Sequence, residues 1–597
     1  MPSGSSTSTG SLPRWDLTSI YPSFDAISYK RDMESLKYRI GVLIETLEQP
    51  FPQDAQEILS VIRLYEEAGN LAENLEAYAE AVYTTDTRNP RALMEINALE
   101  VATLPLKKAA VMFRAGLAKQ KDRIMTRFDP ALEVYRFFIT ESLEKAAFQM
   151  TPELEDLAND ISRSGGNAWT RLHEAISSTA SAVWDPVTGE RKTAIALREL
   201  AHHPERALRE RAYKAELAAW KSVELPLAAA LNGVKGTATT LDKRRGWKSA
   251  LHKSCFQSRI QEKTQKVLIT ALEKSLPLFH RYLAIKARLL GLSTCAFYDL
   301  FAPVSAPGTE VRKWTWRESA DFIVNQFNAF DTSMGAFARA AFDGSWIDAK
   351  PREGKLGGAY CTSFPLAKVS RILCNFEGSF DSVITVAHEL GHAWHHEVIK
   401  SLPRSLRQYP MTLAETASIF AETVVFEGAL RQAPAEERLG IIEENLSGSC
   451  QVVVDILSRF YFEQALFERR DRKELSPDEL CAMMLEAQQK TYGEGLDPKL
   501  LHPYMWAVKS HYYNHGLGFY NYPYAFGLLF SLSLYGMTKT MGADFQVMYR
   551  DLLQYTGKAS AEQVARIAGF DIQNEGFWQY GIDIIASRIK ELERTLL

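Results

Sequence analysis

A helical apolar period runs through residues 27–240, and it limits the fold of this chain more than any other feature. Leu71, Leu75, Tyr78 and Val82 fall at i, i+4, i+7 and i+11, one stripe of a helix that has to be buried. Similar stripes recur around 30–48, 90–120 and 131–150, with breaks at Glu-Gln-Pro-Phe-Pro, Asn-Pro and Asp-Pro. Pro186-Val-Thr-Gly189 reads as a turn before another helix. No fixed-period repeat is present, so these helices are expected to pack on one another in a mainly α protein rather than stack as a solenoid.

Residues 355–377 break the pattern. KLGGAYCTSFP and SRILCNFEG are short, glycine-flanked and rich in β-branched, aromatic or cysteine residues, and predict two strands of a small antiparallel sheet. Directly after them, Ser379 or Asp381 can cap a helix running from about 381 to 400. That helix carries His388-Glu-Leu-Gly-His392-Ala-Trp-His395-His396.

On a helix His388 and His392 lie one turn apart and within about 40° of each other. Both imidazoles can therefore reach one tetrahedral ion at about 2.0–2.1 Å. Glu389 projects to the side, where it can touch a water on the ion without binding the ion. This is the H-E-x-x-H arrangement of zinc peptidases. His395 returns to the same face but lies about 10.5 Å from His388 along the axis, too far to share the ion. His396 points elsewhere and reads as a packed or solvated histidine. Gly391 costs about 1 kcal/mol of helix propensity relative to alanine, so a crossing helix or a substrate needs the space.

A zinc hydrolase needs a third protein ligand and an open position. The site six residues after His392 is Val398, so the ligand must come from elsewhere. Thr412-Leu-Ala-Glu415-Thr-Ala-Ser418-Ile-Phe-Ala-Glu422 offers two acids on one helical face among small and apolar residues. Carboxylates there are costly unless paired or metal-bound. One as a ligand and the other as partner to a ligand histidine meets that requirement. A di-iron bundle would use Glu389-x-x-His392 with Glu199-x-x-His202, but Pro204 disrupts the second copy and leaves His388 without a role.

A second block, His511-Tyr-Tyr513-Asn-His515-Gly-Leu-Gly518-Phe-Tyr520-Asn-Tyr522-Pro-Tyr524-Ala-Phe-Gly527, is rich in tyrosine. Its glycines permit a movable loop, and its hydroxyl and imidazole donors suit a developing oxyanion. Tyr520 and Tyr524 also have the spacing of an aromatic core stripe.

The net charge of −4 leaves no basic excess for nucleic acid. The run from Tyr524 to Met537 is short and broken by serines, so no membrane span is expected. The first residues lack the apolar core of a secretory signal. Six scattered cysteines without a C-x-x-C pair point to reduced thiols in a cytoplasm.

HELGHAWH (388–395), ETASIFAE (415–422) and HYYNHGLGFYNYPYAFG (511–527), with the GGAYCTSFP…ILCNF strands, resemble the oligoendopeptidase F branch of the thimet-oligopeptidase-like zinc peptidases. The resemblance implies an elongated, two-lobed helical molecule with a deep substrate channel, one Zn2+ per chain and short peptides as substrates. It implies His388, His392 and Glu415 as ligands, Glu389 as catalytic base and Glu422 as a supporting acid. It implies Tyr520 and Tyr524, with His511 or His515, as donors to the transition state, while Tyr513 stays open. Substrate contacts are expected at Gly357, Gly358, Ala359 and Tyr522, the glycines letting a peptide pair with the strand edge. The expected division is a disordered tail at 1–14, an N-terminal helical domain at 15–200 and a catalytic domain at 201–590. The alternatives are a metallocarboxypeptidase with a similar zinc helix and a peptide carrier that does not cut.

Overall fold

The computed structural model describes residues 12–304 and 312–594. Most of the expected tail lies outside them. From Pro13 on the chain is held, since its carbonyl accepts from the N–H groups of Ala349 and Lys350 at 3.0 and 3.3 Å.

The fold is mainly α, as the apolar periodicity predicts. The stripe of Leu71, Leu75, Tyr78 and Val82 lies on the helix Ala55–Thr85, where the first three are buried and Val82 packs against them. Asp54 caps this helix by accepting from the N–H groups of Gln56 and Glu57. The Asn-Pro break works the same way: Asn89 caps the helix Pro90–Lys119, and Pro90 sits at its first turn, where no N–H is needed. Around 131–150 the structure differs from expectation. Pro130–Tyr135 is a 3₁₀ turn, and the α-helix begins only at Arg136 and ends at Ala146. The turn at 186–189 is present, but it closes a hairpin of Ser181–Val183 and Arg191–Thr193 before the next helix starts at Ala194. Three-residue strands leave too little alternation to be seen in a helical background.

Contacts divide the chain into two compact units, each assembled from three stretches. The first comprises 1–152, 310–432 and 534–568. One of its cores joins Tyr21, Tyr29, Leu75 and Tyr78 to Phe364 of the sheet. The two expected strands are Tyr360–Phe364 and Val369–Leu373, antiparallel with Cys361 opposite Ile372. A third, Ile347–Asp348, pairs parallel on the far side of Val369–Leu373. Tyr360–Phe364 is therefore an edge strand of this sheet.

The second unit comprises 153–309, 433–533 and 569–597. Its long helices Arg206–Arg244, Glu262–Leu289 and Ile456–Arg470 bury charged groups only in pairs. Lys235 bonds Glu463 at 2.8 Å, and Lys286 bonds Glu443 at 2.6 Å.

Candidate metal centre and aromatic block

The histidine-bearing helix runs from Phe380 to Ile399. Ser379, rather than Asp381, is its cap, accepting from the N–H of Ser382. The next helix, Met411–Gln432, crosses it closely, and Gly391 is where they meet. A Cβ at Gly391 would stand 2.6 Å from both Ala417 O and Ser418 Cα. The glycine thus lets two backbones approach, the crossing-helix reason for its place in the sequence. The loop between the helices is fixed too. Glu66 accepts from the N–H groups of Arg404 and Ser405, and Arg404 pairs with Glu73 at 2.8 Å.

This close crossing brings Glu415 onto the histidines. Glu415 Oε2 lies 3.4 Å from His388 Nε2 and 3.5 Å from His392 Nε2, and the two Nε2 atoms stand 3.2 Å apart. Three donors at about 2.05 Å from a tetrahedral ion would be about 3.3 Å from one another. Two imidazole nitrogens and a carboxylate oxygen at that mutual spacing fit a zinc ion. Glu422 does not join the triangle. Its carboxylate accepts from Nδ1 of His388, which turns Nε2 toward the site. Ser418, which sequence reasoning gave no role, is fully buried and donates to Glu415 Oε2 at 2.7 Å.

Glu389 is buried, and its Oε2 has no hydrogen-bond partner among the described residues. Burial, then Glu415 and Glu422, push its carboxyl up to about 7, against the opposing pull of His388. Burial would hold His388 neutral, but Glu422, then Glu415 and Glu389, raise it to about 9. Its neighbour His392 is lowered, by burial and by the charge on His388. The carboxylates therefore draw positive charge into this site.

The two remaining histidines are packed. His395 is fully buried, stacks on Tyr409 with ring centroids 4.2 Å apart, and bonds Thr556 Oγ1 at 2.8 Å. His396 lies between Ser370 Oγ at 3.3 Å and the Tyr409 hydroxyl at 3.2 Å. Gly357, Gly358 and Ala359 lead into the edge strand, and Asn375 donates to Gly358 O at 3.1 Å.

In the second unit, the tyrosine-rich segment gathers some of its predicted residues and separates others. The Tyr520 and Tyr524 hydroxyls are 2.8 Å apart, and the His511 ring centroid is 5.5 Å from that of Tyr520. Asn521 Oδ1 accepts from Arg459 at 3.1 Å, which points the Asn521 amide N–H at His511 Nε2, 2.6 Å away. Burial, then Arg459, lowers His511 to about 2, so the ring is neutral and carries its proton on Nδ1 as a donor. His515 instead lies against Gly166, where a Cβ would come within 2.5 Å of its Nδ1. Tyr513 is core, stacked on His173 at 3.7 Å. Tyr522 is also buried, and its hydroxyl donates to Ser258 Oγ at 3.1 Å, so packing rather than substrate occupies it. Asn521 and Arg459 were not legible as site residues, because an asparagine in a turn and an arginine on a helix carry no local signal.

Residues 309–584 match the profile of peptidase family M3, and residues 120–180 match that of oligopeptidase F. An oligoendopeptidase F homolog of Lactococcus lactis subsp. lactis is 22% identical, over 98% of this chain and 97% of that protein. The chromosomal oligoendopeptidase F of Lactococcus lactis subsp. cremoris is 27% identical, over 59% of this chain and 58% of its own length. The crystal structure of oligoendopeptidase-F from Enterococcus faecium shares the fold with a TM-score of 0.71 at 19% identity, covering 95% of this chain and 99% of that one.

Proposed function

The chain belongs to peptidase family M3, and from that premise we propose a zinc-dependent endopeptidase that hydrolyses internal bonds of short peptides. The observation that carries the reading is the triangle of His388, His392 and Glu415 beside the unpartnered oxygen of Glu389. His388, His392 and Glu415 would hold a zinc ion, which would supply the Lewis acidity to activate water and polarise a peptide carbonyl.

The chain's own residues do the rest. Glu389 takes the proton of the attacking water at Oε2 and returns it to the leaving nitrogen. Glu422 keeps His388 in the tautomer whose Nε2 is free to bind. Tyr520, Tyr524 and His511 Nδ1–H donate to the oxyanion, a role that rests on the family resemblance, and His515 is the weaker candidate. The edge strand Tyr360–Phe364, entered through Gly357, Gly358 and Ala359, accepts the peptide backbone as an added strand. The segment 201–590 contains every proposed ligand and the stretch that matches the family profile, and we assign the catalytic domain to it.

All six cysteines are free, which supports a reducing compartment such as the cytoplasm. Among the described residues, no helix is long and apolar enough to cross a membrane.

Mass spectrometry of the products of a mid-length peptide, with and without a chelator, tests the proposal. Internal cuts that stop on metal removal support it. Stepwise loss from the C-terminus would indicate a carboxypeptidase, and no cleavage a carrier.

A further inference from the structure

A cavity of about 480 Å³, lined entirely by residues of the first unit, has no part in the reaction above. It lies between the turn end of the strands Tyr360–Phe364 and Val369–Leu373, the helix Ala55–Thr85 and the last turns of the histidine-bearing helix. That volume is within the range of ligand pockets.

Its position ties it to the metal centre. His396 borders it, one turn and about 6 Å along the axis beyond His392, and about 20° round the helix from Glu389. Cys361 Sγ lies 3.8 Å from His396 Nδ1, so the edge strand runs along this same face. Thr362, Ser363 and Phe364 all border the cavity, although successive side chains of a strand point to opposite faces. The cavity therefore reaches round the free edge of the strand. A peptide added to that edge advances about 3.3 Å per residue and passes the cavity about two or three residues from the ion.

The walls set what can enter. Glu73, Glu76 and Glu80 border the cavity from successive turns of one helix. Arg404 and Gln408 occupy Glu73, each at 2.8 Å. Glu76 and Glu80 form no ion pair with any described residue. The cations nearby are held elsewhere: Lys400 pairs with Glu397 at 2.6 Å, Arg407 bonds Asn70, and Lys368 is exposed on the turn. Burial raises the carboxyls of Glu76 and Glu80 above their ordinary value, and an arriving cation would reverse that. Phe364, Ile399 and the ring of Tyr409 add apolar surface. Apolar walls beside unpaired acids fit a long side chain with an apolar stem and a cationic head.

We propose that this cavity is a subsite for a lysine or arginine side chain of the peptide substrate, whose charge Glu76 and Glu80 receive. The inference rests on the peptide-hydrolysing reading of the site.

The test walks one lysine through an otherwise uncharged quenched peptide with an acetylated N-terminus, and compares norleucine at each position. The metal-loaded enzyme is expected to favour lysine at one position, about two or three residues from the cut. There kcat/KM should be about 10-fold or more above that for norleucine, the size of a charged hydrogen bond. In the double variant Glu76→Gln and Glu80→Gln the ratio falls to about one, and Glu80→Gln alone, at an exposed position, lowers it. Equal rates at every position, or a lysine preference that survives the double variant, would overturn the inference. So would a preference that appears only without the acetyl group, which would mark the terminal ammonium as the ligand. Equilibrium binding of the same peptides to Glu389→Gln protein gives the preference without turnover, and equal binding would also overturn the inference. A lysine preference in binding with no cleavage by the wild type would count against the peptidase mechanism alone.

Discussion

Ser418 donates a 2.7 Å hydrogen bond to Oε2 of Glu415, the same oxygen that faces both histidine Nε2 atoms. The hydroxyl sits one turn along the same helix, so it holds the carboxylate in the orientation the metal needs. Ser418→Ala is expected to weaken zinc binding by about 10-fold, the low end for groups that orient a ligand. Chelator competition measures this, and an unchanged affinity would mean that the serine only fills space.

Gly391→Ala sets two effects against each other. Alanine gains about 1 kcal/mol of helix propensity. However, its Cβ would meet backbone atoms at 2.6 Å, and two packed helices yield only at a cost of about 1–3 kcal/mol or more. The clash wins, so thermal unfolding should occur at lower temperature, and zinc content should fall as Glu415 moves away. A stabilised variant with full zinc would contradict the crossing described here.

Zinc binding should release a proton from His388. The metal needs a neutral imidazole, while the folded metal-free protein holds this one up to about 9. Apparent zinc affinity should therefore rise with pH through 7–8 and level off above about 9. The same shift stabilises the metal-free fold fully below the ordinary value of 6.5, and that contribution is lost as pH rises through about 9. Calorimetry in buffers of different ionisation enthalpy counts the released protons. A count of zero at pH 7.5 would refute the charge state assigned to His388.

Asn521 orients His511 while Arg459 orients Asn521. Asn521→Ala should lower kcat/KM about 10-fold, by freeing the ring to adopt the other tautomer, with zinc content unchanged. Full activity would exclude His511 Nδ1–H as a necessary donor.

What could be read from the sequence followed the range of the interactions involved. The Leu71–Tyr78 stripe and the i, i+4 pair His388 and His392 are set by local helical geometry, and the structure shows both where expected. Glu415 against Glu422 is a matter of how two helices cross, and seven residues on one face cannot say which acid reaches the ion. Gly391 carried the clue, since a glycine in mid-helix signals a close neighbour. Ile347–Asp348 escaped notice because two residues have no period. Tyr522 and Tyr524 differ by two positions on one helix, so one turns into the core and the other does not.

The central claim is that Glu389 moves the proton while His388, His392 and Glu415 hold the metal. Glu389→Gln keeps the shape of the side chain and removes its basicity. Zinc content and cleavage of a quenched peptide, measured on the same preparation, test the claim directly. The account predicts one zinc per chain and a rate lowered by about 10²-fold or more. Full zinc with full activity would contradict it.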